Sequence, residues 1–542
     1  MISNKIKRGA ILTTILLAAI ALRFPYLNMR PMHTDEAVHA IKFGTLLEKG
    51  IYHYDPQEYH GPTLNYFTLL PAWILSEHTI QQVTETTLRL VPAIFGTLLV
   101  VAVLFYSPGL GWPAIFIAAG LTALSPAMVF YSRYYIMEIL FVFFLAGIVG
   151  AGYQYQRHRN LGWAIITGLF LGLLYATKET WIIFVGAMIL SLGGVLFIKE
   201  KRLSTILRVM QSLNFRHLLA GLITALVVAG LFYSSFLTYP HGILDSLRTF
   251  QNYFNRAGGA ESHIHPWYYY LHILLFWKSA PGPVWSEALI VILAMIGGIA
   301  AFRENHPRWF ESQFLRFVAL YTLITLVIFS IIPYKTPWNI LGTLFGMILL
   351  AGAGGAWLIS KPSGRWVQAG LGLILIIATG YLLRVSYITN FDLPADPRNP
   401  YVYGHTSNDI YDIVNRINAI SDVAPQGKNM YIEVIAPGGD YWPLPWYLRD
   451  FPHVGWWTAV NLKVPLAPLV IAKPSVEQTL LQKMYTVPPP GQRDLYVPLF
   501  DHPRDLRPGV EIRGYVTNDL WERFQDRSAD LPGTQATPGS NG

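Results

Sequence analysis

The stretch RGAILTTILLAAIALRFPYLNMRPMHTDEAVH, Arg8–His39, decides how this chain is read. Its first half is an apolar run of about 17 residues, near the lower limit for a helix that crosses a bilayer. Its second half sets two adjacent carboxylates, Asp35 and Glu36, between His33 and His39, just past that run. A basic start at Lys5, Lys7 and Arg8 and the small residues that follow also fit a cleaved leader. The length of the run, and the polar loop that depends on it, favour a retained helix.

Composition agrees with a membrane chain. Of 542 residues, 53% are hydrophobic and only 13% charged. Soluble proteins carry about a quarter charged residues. Long apolar runs recur to about residue 390, so the chain is expected to be a polytopic α-helical membrane protein. Its net charge of +8 reads as basic loop charge on the inner side, not as nucleic-acid binding. There are no cysteines, which excludes a disulfide framework, a Cys-ligated metal and a thiol nucleophile.

Apolar windows give about eleven spans: 8–24, 88–106, 113–131, 138–153, 161–177, 180–198, 217–237, 284–302, 314–332, 338–359 and 366–388. Segments 62–76 and 267–277 are apolar but short, and read as helices lying in the interface. With a cytoplasmic N-terminus, alternate loops hold most of the Lys and Arg. That charge bias predicts a multi-pass protein of the cell membrane with the first loop, 25–87, and everything after the last span outside. From Phe391 the apolar runs shorten. SNDIYDIVNRINAI and VEQTLLQKMY read as helices, the first capped by Ser407 or Asn408, and NMYIEVIAP, PLVIAK and DLYVPLF as strands. The expected division is a transmembrane domain at 1–390, an extracytoplasmic α/β domain at 391–526 and a disordered tail at 527–542.

Ionisable residues near a bilayer are costly, so their positions carry information. The outer loops hold Asp35, Glu36 and His60, then Arg133 and Glu138, then Lys178 and Glu179, then Arg256, His263, His265 and Lys278, and finally Lys335. Lys178 and Lys335 sit in very short outer loops, against the charge bias. Cations there suit an anion such as a lipid-linked phosphate. Transfer of a sugar to a hydroxyl needs a base for the acceptor proton. A phosphate leaving group needs cations or a metal to hold its charge. Asp35 as base with Arg133, Lys178, Lys335, Arg256 and Lys278 around a donor phosphate meets both needs. The bland alternatives stay open: helix caps for Asp35 and Glu36, a boundary ion pair for Glu138 and Arg133, snorkelling lysines, and surface histidines at His60, His263 and His265 in place of ligands to a divalent metal ion. YWPLPWYLRD, Tyr441–Asp450, reads as packing more than as a glycan-stacking surface.

Several pieces in order resemble a known family. TDEAVH after the first span resembles the acid-pair signature of GT-C glycosyltransferases of the protein O-mannosyltransferase and aminoarabinose-transferase type. HGPTLNYF at His60 resembles the family's Lys-Pro-Pro-Leu-Tyr-Tyr element, LRLVPAIFG at Leu88 its Arg-Leu-Pro start, and SRYYIMEIL its Ser-Arg-x-x-x-x-Asp motif with Glu138 for Asp. GLLYATKET resembles Gly-Leu-x-x-x-Thr-Lys-Gly and PYKTPWN the late Lys-x-Pro element. Together with YWPLPWYLRD the set is similar to a flippase-activity-associated subgroup. His60 stands where the family has Lys, and Tyr59 where some members have an acid. The resemblance, over roughly residues 10–390, implies a GT-C fold, a polyprenyl-phosphate sugar donor, an inverting mechanism on the outer face, and a glycan, lipid or protein acceptor. It makes Asp35, Glu36 and Glu138 catalytic candidates, and His60, Tyr59 and Asn65 substrate contacts. Two other functions share these features: an oligosaccharide ligase using a polyprenyl-diphosphate glycan, and a non-catalytic part in lipid-linked glycan translocation or surface glycan assembly.

Overall fold

A computed structural model describes residues 2–57, 60–200, 214–257, 263–279, 281–303, 307, 309–361 and 364–530. The chain forms two compact units. The first comprises Met1–Met29 and Lys42–Tyr403, the second Arg30–Ile41 and Gly404–Gly542. The second unit takes in the loop that carries the acid pair.

The first unit is helical. Among the described residues, seven helical stretches are long and apolar enough to cross a membrane: Glu85–Leu124, Glu138–His158, Trp181–Glu200, Phe215–Tyr233, Ser312–Ile331, Pro337–Ser360 and Arg365–Asp392. Two apolar helices, Leu161–Tyr175 and Ala288–Ala301, are shorter. The first helix, α1, runs Ile2–Arg23, and Lys5, Lys7, Arg8 and Arg23 dilute its apolar run. The long stretch from Glu85 bends, because Pro108, Gly111 and Pro113 interrupt regular helix. It ends at Leu124, earlier than the expected span at 113–131. Ser125 then caps a separate short helix, Pro126–Tyr131, by accepting from the Met128 N–H.

Helix Pro337–Ser360 is almost wholly enclosed. Small residues allow that. A Cβ on Gly354 would fall 2.1 Å from the Leu293 carbonyl oxygen, and one on Gly297 would fall 2.0 Å from that of Leu350. The two backbones touch, which is how helices pack where burial of apolar surface gives little net drive. Helix Thr63–Ile74 is too short to cross, at about 18 Å. It exposes Leu70, Trp73 and Ile74 and buries Leu64, Asn65 and Thr68, as an interfacial helix does. Two short strands, β1 (Trp277–Lys278) and β2 (Val284–Trp285), complete the unit.

The second unit is an α/β sandwich. Its strands are β3 (Ile432–Ile435), β4 (Val454–Trp457), β5 (Leu469–Ala472), β6 (Tyr496–Pro498), β7 (Arg504–Arg507) and β8 (Val510–Thr517). The order is β4-β3-β5-β8-β6, with β7 paired to β8. β3 runs parallel to β4 and β5; β8 is antiparallel to its neighbours. β3 and β5 are buried on both faces, so alternate residues enter two cores. Ile432, Val434, Leu469 and Ile471 pack with Ile410, Ile413, Ile417 and Ile420 of helix Asp409–Ser421. Ile435, Val470 and Ala472 pack with Leu480 and Met484 of helix Glu477–Tyr485. Trp446 is fully buried, so YWPLPWYLRD packs into its unit. The last helix runs to Asp530, past the expected start of the tail, and residues 531–542 lie outside the described set.

Candidate functional site

The acid pair opens helix α2, Thr34–Lys49, whose first turn carries both carboxylates. Acids there face the positive end of the helix dipole. The two do different things. Glu36 is fully buried; one oxygen accepts from the His33 N–H at 3.0 Å and the other pairs with Arg30 at 3.0 Å. Arg30 also meets His405 Nε2 at 3.1 Å. Glu36 is thus a charged cap that fixes the start of α2. The Asp35 side chain is 44% exposed. His33 Nδ1 lies 3.8 Å from its Oδ2. That same Nδ1 accepts the Asp35 N–H at 3.0 Å, so it is not the protonated nitrogen. Asp35 keeps an accessible carboxylate at the start of α2.

The first unit gathers a second set. Lys178 Nζ lies 2.6 Å from Glu138 and 3.1 Å from Asn339, with both charged side chains almost enclosed. The segment from His60 to Thr63 is zipped to Ala176–Lys178 by a β-bridge and by backbone bonds from Gly61 and Thr63. That zipper sets His60 Nδ1 3.5 Å from Glu179. Glu179 is buried, and its Oε1 has no hydrogen-bond donor among the described residues. Lys42, on the later turns of α2, feels both Glu179 and Asp55, yet burial outweighs them and lowers its pKa to about 8. Burial first, and then the Glu179 charge, raise the pKa of Tyr52 and Tyr54 beside it. Asn65 is fully buried, and both amide atoms lack partners among the described residues.

Lys335 is almost fully buried in the loop before Pro337. Among the described residues its Nζ meets the carbonyl oxygens of His265, at 3.2 Å, and of Ile332. Among the described residues no carboxylate pairs with it, and burial lowers its pKa. The same loop pairs with the 263–265 segment: the Lys335 N–H bonds His263 and the His265 N–H bonds Pro333. His263 and His265 both reach the Tyr403 hydroxyl, at 2.6 and 3.2 Å, and His265 stacks on Tyr269. Burial, then His263 and Lys335, lower the His265 pKa.

Other candidates have different surroundings. Arg133 is aimed at the carbonyls of Leu22, Arg23, Pro25 and Tyr26, where it caps the end of α1. Lys278 is exposed on β1. Tyr59 and the Arg256 side chain lie outside the described residues. The three histidines proposed for a metal do not converge: His60 faces Glu179, whereas His263 and His265 meet tyrosines. Among the described residues no group of three His, Cys, Asp or Glu side chains could hold a metal ion. Lys42 is absent from the sequence-derived set, and Glu179, an outer-loop acid beside Lys178, was given no role there. Two signals pointed to them: Lys42 follows Asp35 by two helical turns, and Glu179 replaces the Gly of the resembled Thr-Lys-Gly element.

Residues 65–243 match the sequence model of the dolichyl-phosphate-mannose-protein mannosyltransferase family. No curated protein sequence matches the chain significantly. The fold is similar to that of ArnT from Cupriavidus metallidurans bound to undecaprenyl phosphate, with TM-score 0.60 and 15% identity over 93% of this chain and 97% of that one. It is also similar to the oligosaccharyltransferase AglB from Archaeoglobus fulgidus in complex with an inhibitory peptide and a dolichol-phosphate, with TM-score 0.53 and 12% identity over 89% and 71%. The apolar helices, the short interfacial helix, the C-terminal sheet and these likenesses together identify a multi-pass membrane protein with the GT-C glycosyltransferase fold.

Proposed function

We propose that the protein is an inverting glycosyltransferase that moves a sugar from a polyprenyl-phosphate donor to a hydroxyl acceptor on the extracytoplasmic face, with Asp35 as base. The observation that carries this is the asymmetry of the acid pair. Glu36 is consumed by Arg30 and the helix start, while Asp35 stays exposed beside it. As the acceptor oxygen attacks the anomeric carbon, Asp35 takes its proton. The bond from that carbon to the phosphate oxygen breaks on the opposite face, and the electron pair leaves with polyprenyl phosphate. A phosphate needs no proton to leave but does need positive charge. Lys335 suits that task because its buried ammonium has carbonyl partners and no carboxylate partner among the described residues. Lys178, bound to Glu138 and Asn339, suits holding donor-side geometry more than carrying free charge.

The family match and the lipid phosphates held by the two structural neighbours support the donor class. Asp35→Asn retains shape and a helix-start acceptor, so it separates chemistry from folding. Purified protein and this variant are offered radiolabelled polyprenyl-phosphate sugars with a hydroxyl acceptor. Transfer by the wild type and loss in the variant support the reading. Transfer only from diphosphate-linked glycans points to the ligase alternative, and glycan export unaffected by the variant points to a non-catalytic role.

A further inference from the structure

Where α1 begins, an open cavity of about 630 Å³ lies between α1, the start of helix Ser107–Leu124 and the residues before helix Ser312–Ile331. Arg8, Ser107, Gly111, Trp112, Trp309 and Glu311 line it. The cavity has a built wall. Gly111 has φ 72°, and a Cβ there would fall 2.5 Å from the Trp309 ring. Only glycine allows both that backbone and that aromatic contact. The Glu311 N–H bonds the Gly109 carbonyl at 2.8 Å and ties the two walls together.

The two charges on the lining are not equivalent. Glu311 is engaged by the Tyr153 hydroxyl and lies 4.0 Å from Arg157. Arg8 is exposed, lies 4.8 Å over the Trp112 ring, and forms no ion pair among the described residues. Among the described lining residues, the uncompensated charge is therefore positive. The position is equally specific. Glu138 and Lys335 lie at the other ends of helices that begin or end here, so a span of roughly 25–30 Å separates the cavity from them. Tryptophans at a helix end mark the headgroup level. The sequence places the basic loops at this end, where anionic lipids draw cations.

We propose that this cavity binds the headgroup of an anionic phospholipid, with the phosphodiester on Arg8 and the glycerol region against Trp112 and Trp309. The site is independent of the transfer reaction. Its test uses the purified full chain titrated with dioctanoyl phosphatidylglycerol or dioctanoyl phosphatidylcholine, with bound lipid counted by native mass spectrometry. Phosphatidylglycerol binds in preference to phosphatidylcholine. Arg8→Gln weakens phosphatidylglycerol binding about tenfold, the size of one lost charge-assisted contact. Arg8→Lys keeps the preference. Arg365→Gln, at another exposed arginine lying over its own neighbour Trp366, leaves binding unchanged. Equal binding of the two lipids by the wild type, unchanged binding in Arg8→Gln, or an equal loss in Arg365→Gln overturns the proposal.

Discussion

Glu36→Gln separates the two adjacent acids most sharply by stability. The substitution keeps the volume and leaves an oxygen that can still accept the His33 N–H. It removes the charge that pairs with Arg30 at 3.0 Å, where the two side chains are 0% and 5% exposed. Removing one partner of a buried ion pair costs about 3–5 kcal/mol, because the other charge stays desolvated. The first turn of α2 also loses an anion, worth about 0.3–1 kcal/mol. Asp35→Asn, at a half-exposed side chain with no buried counter-ion, should cost only about 0.5–1 kcal/mol. Each 1.4 kcal/mol is about tenfold in an equilibrium, so protection of the α2 amides from hydrogen exchange should fall about 10²–10⁴-fold in Glu36→Gln. In Asp35→Asn it should fall less than about tenfold. A paired Arg30→Met, Glu36→Leu variant should recover most of the loss, since an apolar pair avoids the stranded charge. Full protection in Glu36→Gln would refute the structural role assigned to Glu36 and return it to the chemistry.

Glu138→Gln and Lys178→Met should each lower the thermal midpoint, by about 3–5 kcal/mol of stability, and the double variant should lose much less than the sum; additive losses in that cycle would contradict a coupled buried pair. Lys42 has a depressed pKa of about 8 in the folded chain. The unfolded chain therefore binds the extra proton between about pH 8 and pH 10.4, so stability rises with pH across that window and is lost as pH falls through about 8. A thermal scan against pH should show that rise in the wild type and not in Lys42→Met. In the second unit, Glu433 and Lys483 pair at 2.7 Å with 0% and 3% exposure. Glu433→Gln should cost about 3–5 kcal/mol in denaturant unfolding of that unit, and a loss under about 1 kcal/mol would contradict a dry pair.

Hydropathy made most of the helical unit legible, because bilayer thickness imposes a length on each apolar run. It failed where local backbone chemistry intervenes. The span expected at 113–131 ends at Leu124, since Ser125 caps a new helix opened by Pro126. Pattern also revealed β3 and β5, which are buried on both faces and apolar apart from Glu433. It missed β4, a short half-buried Val-Gly-Trp-Trp run, and β7 and β8, which interleave polar residues. The functional residues divide in the same way. Asp35 was visible because an exposed acid after an apolar run is unusual. Arg133 carries charge suited to phosphate, yet its neighbours are the carbonyls that end α1, a contact over one hundred residues apart that no local pattern encodes. Lys42 feels the Glu179 charge only because the chain between them folds back, and His60 meets Glu179 only because of the zipper at Thr177.

The most direct test of the account is sugar transfer by the purified protein and by Asp35→Asn from a panel of radiolabelled polyprenyl-phosphate sugars, with hydrogen exchange run on both. The account predicts transfer by the wild type and a loss of about 10²–10⁴-fold in the variant, the usual worth of a positioned base, with α2 protection nearly intact. Wild-type activity retained in Asp35→Asn would contradict it.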